Sequence, residues 1–182
     1  MASNDERFVE IYESYFRHVH AYCRRRTGPD RADDAAAETF LVVWRKIDHI
    51  PDGPQILPWL YRTAYGVIRN VWRGASRRKR LDLKLGALGV DPVVPPEDFM
   101  VLRHETQQIL AALSAMKPAD QEILRLSIWE DLSNPELAVT LNVSEEAARQ
   151  RLSRARRKLA AGYNRLDAKG WTLPVAQKGG VQ

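Results

Sequence analysis

A chain of 182 residues has room for one or two compact units, and 45% hydrophobic with 28% charged residues gives it real cores rather than a disordered majority. Twenty-eight Lys and Arg against 23 Asp and Glu leave a formal charge of +5 and a pI near 9.5, which suits a polyanionic partner. The single Cys23 excludes a disulfide framework and any multi-cysteine zinc site, no apolar run approaches the ~20 residues of a membrane span, and MASNDERFVE has no signal-peptide core. The expectation is a basic, soluble, cytoplasmic protein without membrane insertion.

Phe8, Ile11, Tyr12, Tyr15, Val19 and Tyr22 recur at three- and four-residue steps, the stripe of a core-facing helix. Thr27-Gly28-Pro29-Asp30 stops that helix and offers Asp30 as the cap of the next. Ala36, Phe40, Val43 and Ile47 make the second stripe. A third helix is expected from Pro58 to about Arg80, with Leu60, Ala64, Val67, Ile68 and Val71 inward, after a proline-punctuated loop PDGPQILP. Residues 81–98 hold Pro92, Pro95, Pro96, Gly86 and Gly89 with an acidic excess, and read as a flexible linker. Beyond it, helical periodicity covers 104–115 and 119–130. Two short helices follow: Ser133, Pro135 and Glu136 fit a capping box for the first, Asn142-Val143 the turn, and Ser144 the cap of the second. The fold class is therefore all-α. Two small helical domains are expected at 5–80 and 101–162, the second containing a helix-turn-helix, with a linker at 81–100 and a frayed tail at 163–182.

On a helical wheel of 144–161, Ala148, Leu152, Ala155 and Leu159 fall inward, and Glu146, Gln150, Ser153, Arg154 and Arg157 opposite, with Arg149 on the flank; Glu145 and Glu146 in the first turn also suit the helix dipole. Arginine and small polar groups near a helix N-terminus suit base edges, and further arginines suit phosphates; Arg149 can fork onto guanine and Gln150 onto adenine. A solvated basic face without specificity is the plainer reading, and the capped helix-turn-helix favours DNA. A second basic run, Arg69, Arg73, Arg77, Arg78, Lys79 and Arg80, follows Trp59, Tyr61, Tyr65 and Trp72. Such rings stack on exposed bases or, more commonly at helical spacing, pack in a core. On the second helix, Leu41 and Val42 stand on an outer face with Asp34, Glu38 and Arg45, which fits either a protein-binding patch or packing under another part of the chain.

Three segments carry a resemblance: DDAAAETFLVVWRKI at 33–47, PWLYRTA at 58–64 leading into the basic helix, and DLSNPELAVTLNVSEEAARQRLSRARRKL at 131–159. In that order, with a proline-bearing linker between, they resemble a two-domain bacterial sigma factor of the extracytoplasmic-function group. The resemblance implies transcription initiation, with core RNA polymerase and promoter DNA as partners. Asp34, Glu38, Leu41, Val42 and Arg45 would dock on the clamp of the largest polymerase subunit, and the flap of the second-largest would hold the C-terminal domain. The loop from Asp48 to Leu57 would hold a flipped base of the minus-ten element, beside Arg62, Arg69, Asn70, Arg73 and Arg77. Arg149, Gln150, Ser153, Arg154 and Arg157 would read the minus-thirty-five element. An anti-sigma partner is usual in this group. The sequence departs from the family pattern at Ala37, where glutamine is common, and at Tyr65-Gly66, where Arg-Asn is common.

Three rivals come from other classes, of which an adaptor acting only through proteins has no use for an outward Arg149 and Gln150. An enzyme lacks support, since His18 and His20 are two apart on a helix, no phosphate loop or nucleophile elbow is visible, and no cofactor is implied. A stand-alone helix-turn-helix regulator accounts for 119–159 and leaves the N-terminal half unexplained.

Overall fold

The computed structural model describes residues 3–84 and 104–168, with side chains over 3–70 and 106–168. The expected linker beyond Lys84, the tail beyond Ala168 and the side chains of Trp72, Arg73, Arg77, Arg78, Lys79 and Arg80 lie outside the described residues. No strand occurs among the described residues.

Helix α1 spans Asn4–Thr27. The Ser3 hydroxyl accepts from the Glu6 N–H at 3.2 Å while the Glu6 carboxylate accepts from the Ser3 N–H at 2.8 Å, a complete capping box. Helix α2, Pro29–Arg45, follows after a single residue. Gly28, at φ +80°, ends one helix and opens the next, so Asp30 is not the cap expected from the sequence. Proline's fixed φ suits the first helical position, which moves the start ahead of Asp30 and leaves its carboxylate beside the positive end of the helix. Short 3-10 turns at Ile47–His49 and Gly53–Gln55 lead into α3, Ile56–Lys84. Helix α3 therefore starts two residues before Pro58 and runs past Arg80.

Helices α1, α2 and α3 pack pairwise around Val19, Tyr22, Cys23, Ala36, Phe40, Val43, Leu60, Ala64 and Ile68, all buried. Full burial of each large side chain contributes about 1.5–3 kcal/mol. Thr39 is buried too, its hydroxyl donating to the Ala35 carbonyl at 2.7 Å.

The second group is α4 (His104–Ser114), α5 (Pro118–Trp129), α6 (Asn134–Leu141) and α7 (Glu145–Asp167). The capping box at Ser133 and Glu136 is present, Asn142 turns the chain at φ +53°, and the Ser144 hydroxyl accepts from the Ala147 N–H at 3.2 Å. The α6–turn–α7 unit is thus the expected helix-turn-helix. Helix α7 continues through residues 163–167, beyond the expected domain end at 162; just before this stretch Gly162 rests on Ala112 of α4. Leu124, Leu126, Leu137, Ala148, Leu152 and Ala155 form the core, and Lys158 reaches Asp120 at 2.6 Å to tie α7 to α5.

The two groups are in contact. Helix α6 packs on α3, with the Thr140 hydroxyl donating to the Pro58 carbonyl at 3.2 Å, and α5 meets the end of α1 through buried polar groups.

Candidate nucleic-acid and polymerase interfaces

On α7, Ala148, Leu152 and Ala155 face the core, which turns Arg149, Gln150, Ser153, Arg154 and Arg157 outward as one exposed face. A shallow groove of about 290 Å³ beside it is lined by Asn134, Arg149, Leu152, Ser153, Arg156 and Arg157. Asn134 and Arg156 are additions that the wheel did not single out; Asn134 joins because the turn brings the start of α6 against α7. Glu146 organises the front of this face. Its carboxylate accepts from Arg149 Nη2 at 2.5 Å and from Gln150 Nε2 at 2.8 Å. The Gln150 bond first, and the Arg149 bond and charge after it, hold the Glu146 carboxyl below its ordinary pKa.

Arg62, Arg69 and Asn70 are exposed on α3, and Arg73 and Arg77 continue the same helix. The rings upstream behave differently from the stacking platform considered above. Tyr61 is buried and stacks on Tyr22 of α1 with centroids 4.9 Å apart, while Tyr65 and Trp59 are half-buried against the core. Burial, then the nearby Glu130, pushes the Tyr61 hydroxyl up to about 12. These residues pack inside the protein because their positions on α3 face α1 and α5. The loop from Asp48 to Leu57 is pinned from outside: Arg7 Nη2 donates to the Ile50 carbonyl at 2.7 Å and to Asp52 at 2.8 Å. Arg7 could not be found from sequence periodicity, since its partners lie more than forty residues on.

Asp34, Glu38, Leu41 and Arg45 are exposed along α2, and Val42 is half-buried. Leu41, 49% exposed, stands on the rim of a groove of about 610 Å³ between α1 and α2, with Trp44 at 44%. Phe8, Tyr12, Phe16, Asp33, Ala37 and Phe40 complete the lining. Phe8 meets Trp44 edge-on at 5.2 Å and Tyr12 meets Phe40 at 4.9 Å, so the walls are rings held by rings. Phe8 and Tyr12 belong to the expected core stripe, whereas the periodicity does not single out Trp44 or Phe16. The apolar stripe of α1 is wider than the core it faces, and its excess lines this groove.

Among the described residues no group of three or more His, Cys, Asp or Glu is placed to hold a metal, and no helix is long and apolar enough to cross a membrane. His20 instead pairs with Asp33 across α1 and α2 at 2.8 Å.

The sigma-70 region 2 family pattern matches residues 11–78 and the sigma-70, region 4 pattern matches 106–159. The RNA polymerase sigma factor NccH of Alcaligenes xylosoxydans xylosoxydans is 32% identical over 133 residues, 71% of each chain. CnrH of Cupriavidus metallidurans is 30% identical over 139 residues, again 71% of each. The ECF RNA polymerase sigma factor SigM of Bacillus subtilis is 28% identical over 159 residues, 86% of this chain and 94% of that one. In fold, the chain is similar to the sigma factor RpoE in its complex with the anti-sigma factor NepR from Bartonella quintana (TM-score 0.59, 19% identity, 86% of this chain and 96% of that chain). It is also similar to CnrH in complex with the cytosolic domain of CnrY (TM-score 0.57, 24% identity, 88% of each). A stand-alone regulator is set aside by the region 2 match, which covers the half such a protein would not need. With both region matches in the expected order and the helix-turn-helix in the second, the chain belongs to the sigma-70 family, as an RNA polymerase sigma factor of the extracytoplasmic-function type.

Proposed function

We propose that this chain works in the cytoplasm, carries no chemistry of its own, and starts transcription by dividing one task between its two groups of helices. The outward face of α7, with Arg149, Gln150, Ser153, Arg154 and Arg157, reads the minus-thirty-five element. Arg62, Arg69, Asn70, Arg73 and Arg77 of α3 hold minus-ten DNA, and the loop from Asp48 to Leu57 receives an unpaired base. Capture of that base, with contacts to the polymerase, supplies the energy for opening the duplex. The aromatic groove between α1 and α2, with Asp34, Glu38, Leu41, Val42 and Arg45 along its outer edge, docks the clamp of the largest polymerase subunit, and the flap of the second-largest holds the C-terminal helices. The same exposed groove is the surface an anti-sigma protein would cover.

The observation that carries this reading is the capped helix-turn-helix whose buried Ala148, Leu152 and Ala155 oblige the arginine face to point outward. Run-off transcription with purified core polymerase on a random promoter library tests it: defined start points and an enriched upstream motif are expected, and the absence of both from folded protein would reject the reading. Replacing Leu41 and Val42 with alanine should weaken co-purification with core polymerase several-fold without altering the helical circular dichroism. Undiminished co-purification would remove the groove from the assignment.

A further inference from the structure

Between α2 and α3 the chain has only two short 3-10 turns to shape it. Its near flank is anchored, since Ile47 and Ile50 are buried. The tip that follows runs Pro51-Asp52-Gly53-Pro54-Gln55, in which the two prolines have no backbone N–H to bond. Gly53 turns at φ +65°, where an added β-carbon would meet nothing within 4 Å, and residues 52–55 are exposed. Left to itself, such a segment spreads over many conformations. Among the described residues, the side-chain hydrogen bonds that reach this tip from another helix both come from Arg7. Its Nη2 donates to the Ile50 carbonyl at 2.7 Å and to the Asp52 carboxylate at 2.8 Å. One nitrogen thus grips the loop on both sides of Pro51 and fixes the direction in which residues 52–55 leave the core.

The grip is itself held in place. Arg7 lies near the start of α1, where its own N–H donates to the Ser3 carbonyl at 3.0 Å, in the turn that the Ser3–Glu6 capping box fixes. Its side chain is 28% exposed, against 94% for Asp52. An ion pair with so exposed a partner contributes little to global stability, so the pair calls for a role other than holding the fold. Charge and geometry give one. Asp52 puts a carboxylate on a loop proposed to meet single-stranded DNA, where it would repel phosphates. Arg7 compensates that charge, and its planar guanidinium ties the carboxylate to the backbone two residues before it.

We propose that Arg7 is a positioning residue for promoter opening: it holds the loop from Asp48 to Leu57 in the conformation that accepts an unpaired base. The inference rests on the reading that this loop receives such a base. Without the two bonds, the receptive conformation becomes a fraction of the loop's population, and the apparent affinity for the base falls by that fraction. With them, the loop is ordered before DNA arrives, and less freedom is lost on capture. Arg7 touches no base itself; it acts through Ile50 and Asp52.

The test uses the full chain assembled with purified core polymerase, on a promoter recovered from the run-off library. Each nucleotide of the unpaired strand is replaced in turn by an abasic site, and opening is followed by permanganate oxidation of unpaired thymines. Wild type should lose opening sharply at one abasic position. Arg7→Gln should open the intact promoter about ten-fold less well, and should lose nothing more at that position, because no base is left to receive. At every other position its ten-fold deficit should persist. A variant that merely folds poorly would carry its deficit to all positions alike. Hydrogen exchange on the free protein gives a second measurement: amides within 47–57 should exchange about ten-fold faster in Arg7→Gln, with α2 protected as before. A deficit that is the same at every abasic position, no deficit at all, or unchanged exchange in the loop overturns the positioning role. A wild-type profile with no sensitive position overturns instead the reading that the loop receives a base, and the role of Arg7 in capture falls with it.

Discussion

Glu146 carries a negative charge onto the front of the face proposed to meet DNA, and its position explains why that is useful. It holds Arg149 and Gln150 in fixed rotamers before DNA arrives, so less side-chain freedom is lost on binding. Glu146→Gln should raise binding to arbitrary duplex and steepen its salt dependence, while the ratio of matched to scrambled upstream sequence falls by about five-fold or more, as read by competition on promoter libraries. The sequence places Glu146 on this face but does not reveal its bonds to Arg149 and Gln150, because a glutamate in a first turn already has a sufficient role beside the helix dipole. The arginine face itself is legible, since the buried Ala148, Leu152 and Ala155 define its opposite. Tyr61 offers a second residue-level test. Folding keeps its hydroxyl neutral up to about pH 12, whereas an unfolded tyrosine ionises near 10, so its contribution to stability is complete below about pH 10 and is lost as the pH rises toward 12. Alkaline denaturation followed by circular dichroism should therefore be shifted to higher pH in Tyr61→Phe.

At the level of the element, caps and breaks announce themselves. Ser133 with Glu136, Ser144 and Asn142 do in the structure what their chemistry suggests, because capping is a contact between residues three or four apart. The α1–α2 junction was less legible: both Gly28 and Asp30 are competent caps, and the conformation of Pro29 decides between them. Gly66 marks an element that could be improved. It sits in mid-helix, and a β-carbon added there meets nothing within 4 Å, so Gly66→Ala should stabilise the protein by about 1 kcal/mol, visible as a rise in thermal midpoint. Ser144→Ala should do the reverse by about 1 kcal/mol, and should weaken upstream DNA binding because the frayed first turn is the one that holds Glu146, Arg149 and Gln150.

For the whole molecule, the seam between the domains is what no local pattern could reveal. Arg26 and Glu122 are 96 residues apart, and each alone resembles an ordinary exposed charge on an amphipathic helix. Their burial emerges only once two separately folded groups meet. A shared seam also couples the domains: wild-type protein should melt in one calorimetric transition, and a variant with Glu122→Gln and Glu130→Gln, the two partners of Arg26 across the seam, in two. The long α7 adds a mechanical consequence. Gly162 lies so close to Ala112 that a β-carbon there would come within 3.3 Å of the Ala112 methyl, while Arg149 and Gln150 sit about 20 Å away along the same rod. The far end of the helix is thus set by its close approach to α4, and the near end by the core under Ala148, Leu152 and Ala155. A bulky side chain in place of Gly162 would push α7 off α4 and tilt the whole rod, so the face proposed to meet DNA would be re-aimed without any of its own atoms being replaced.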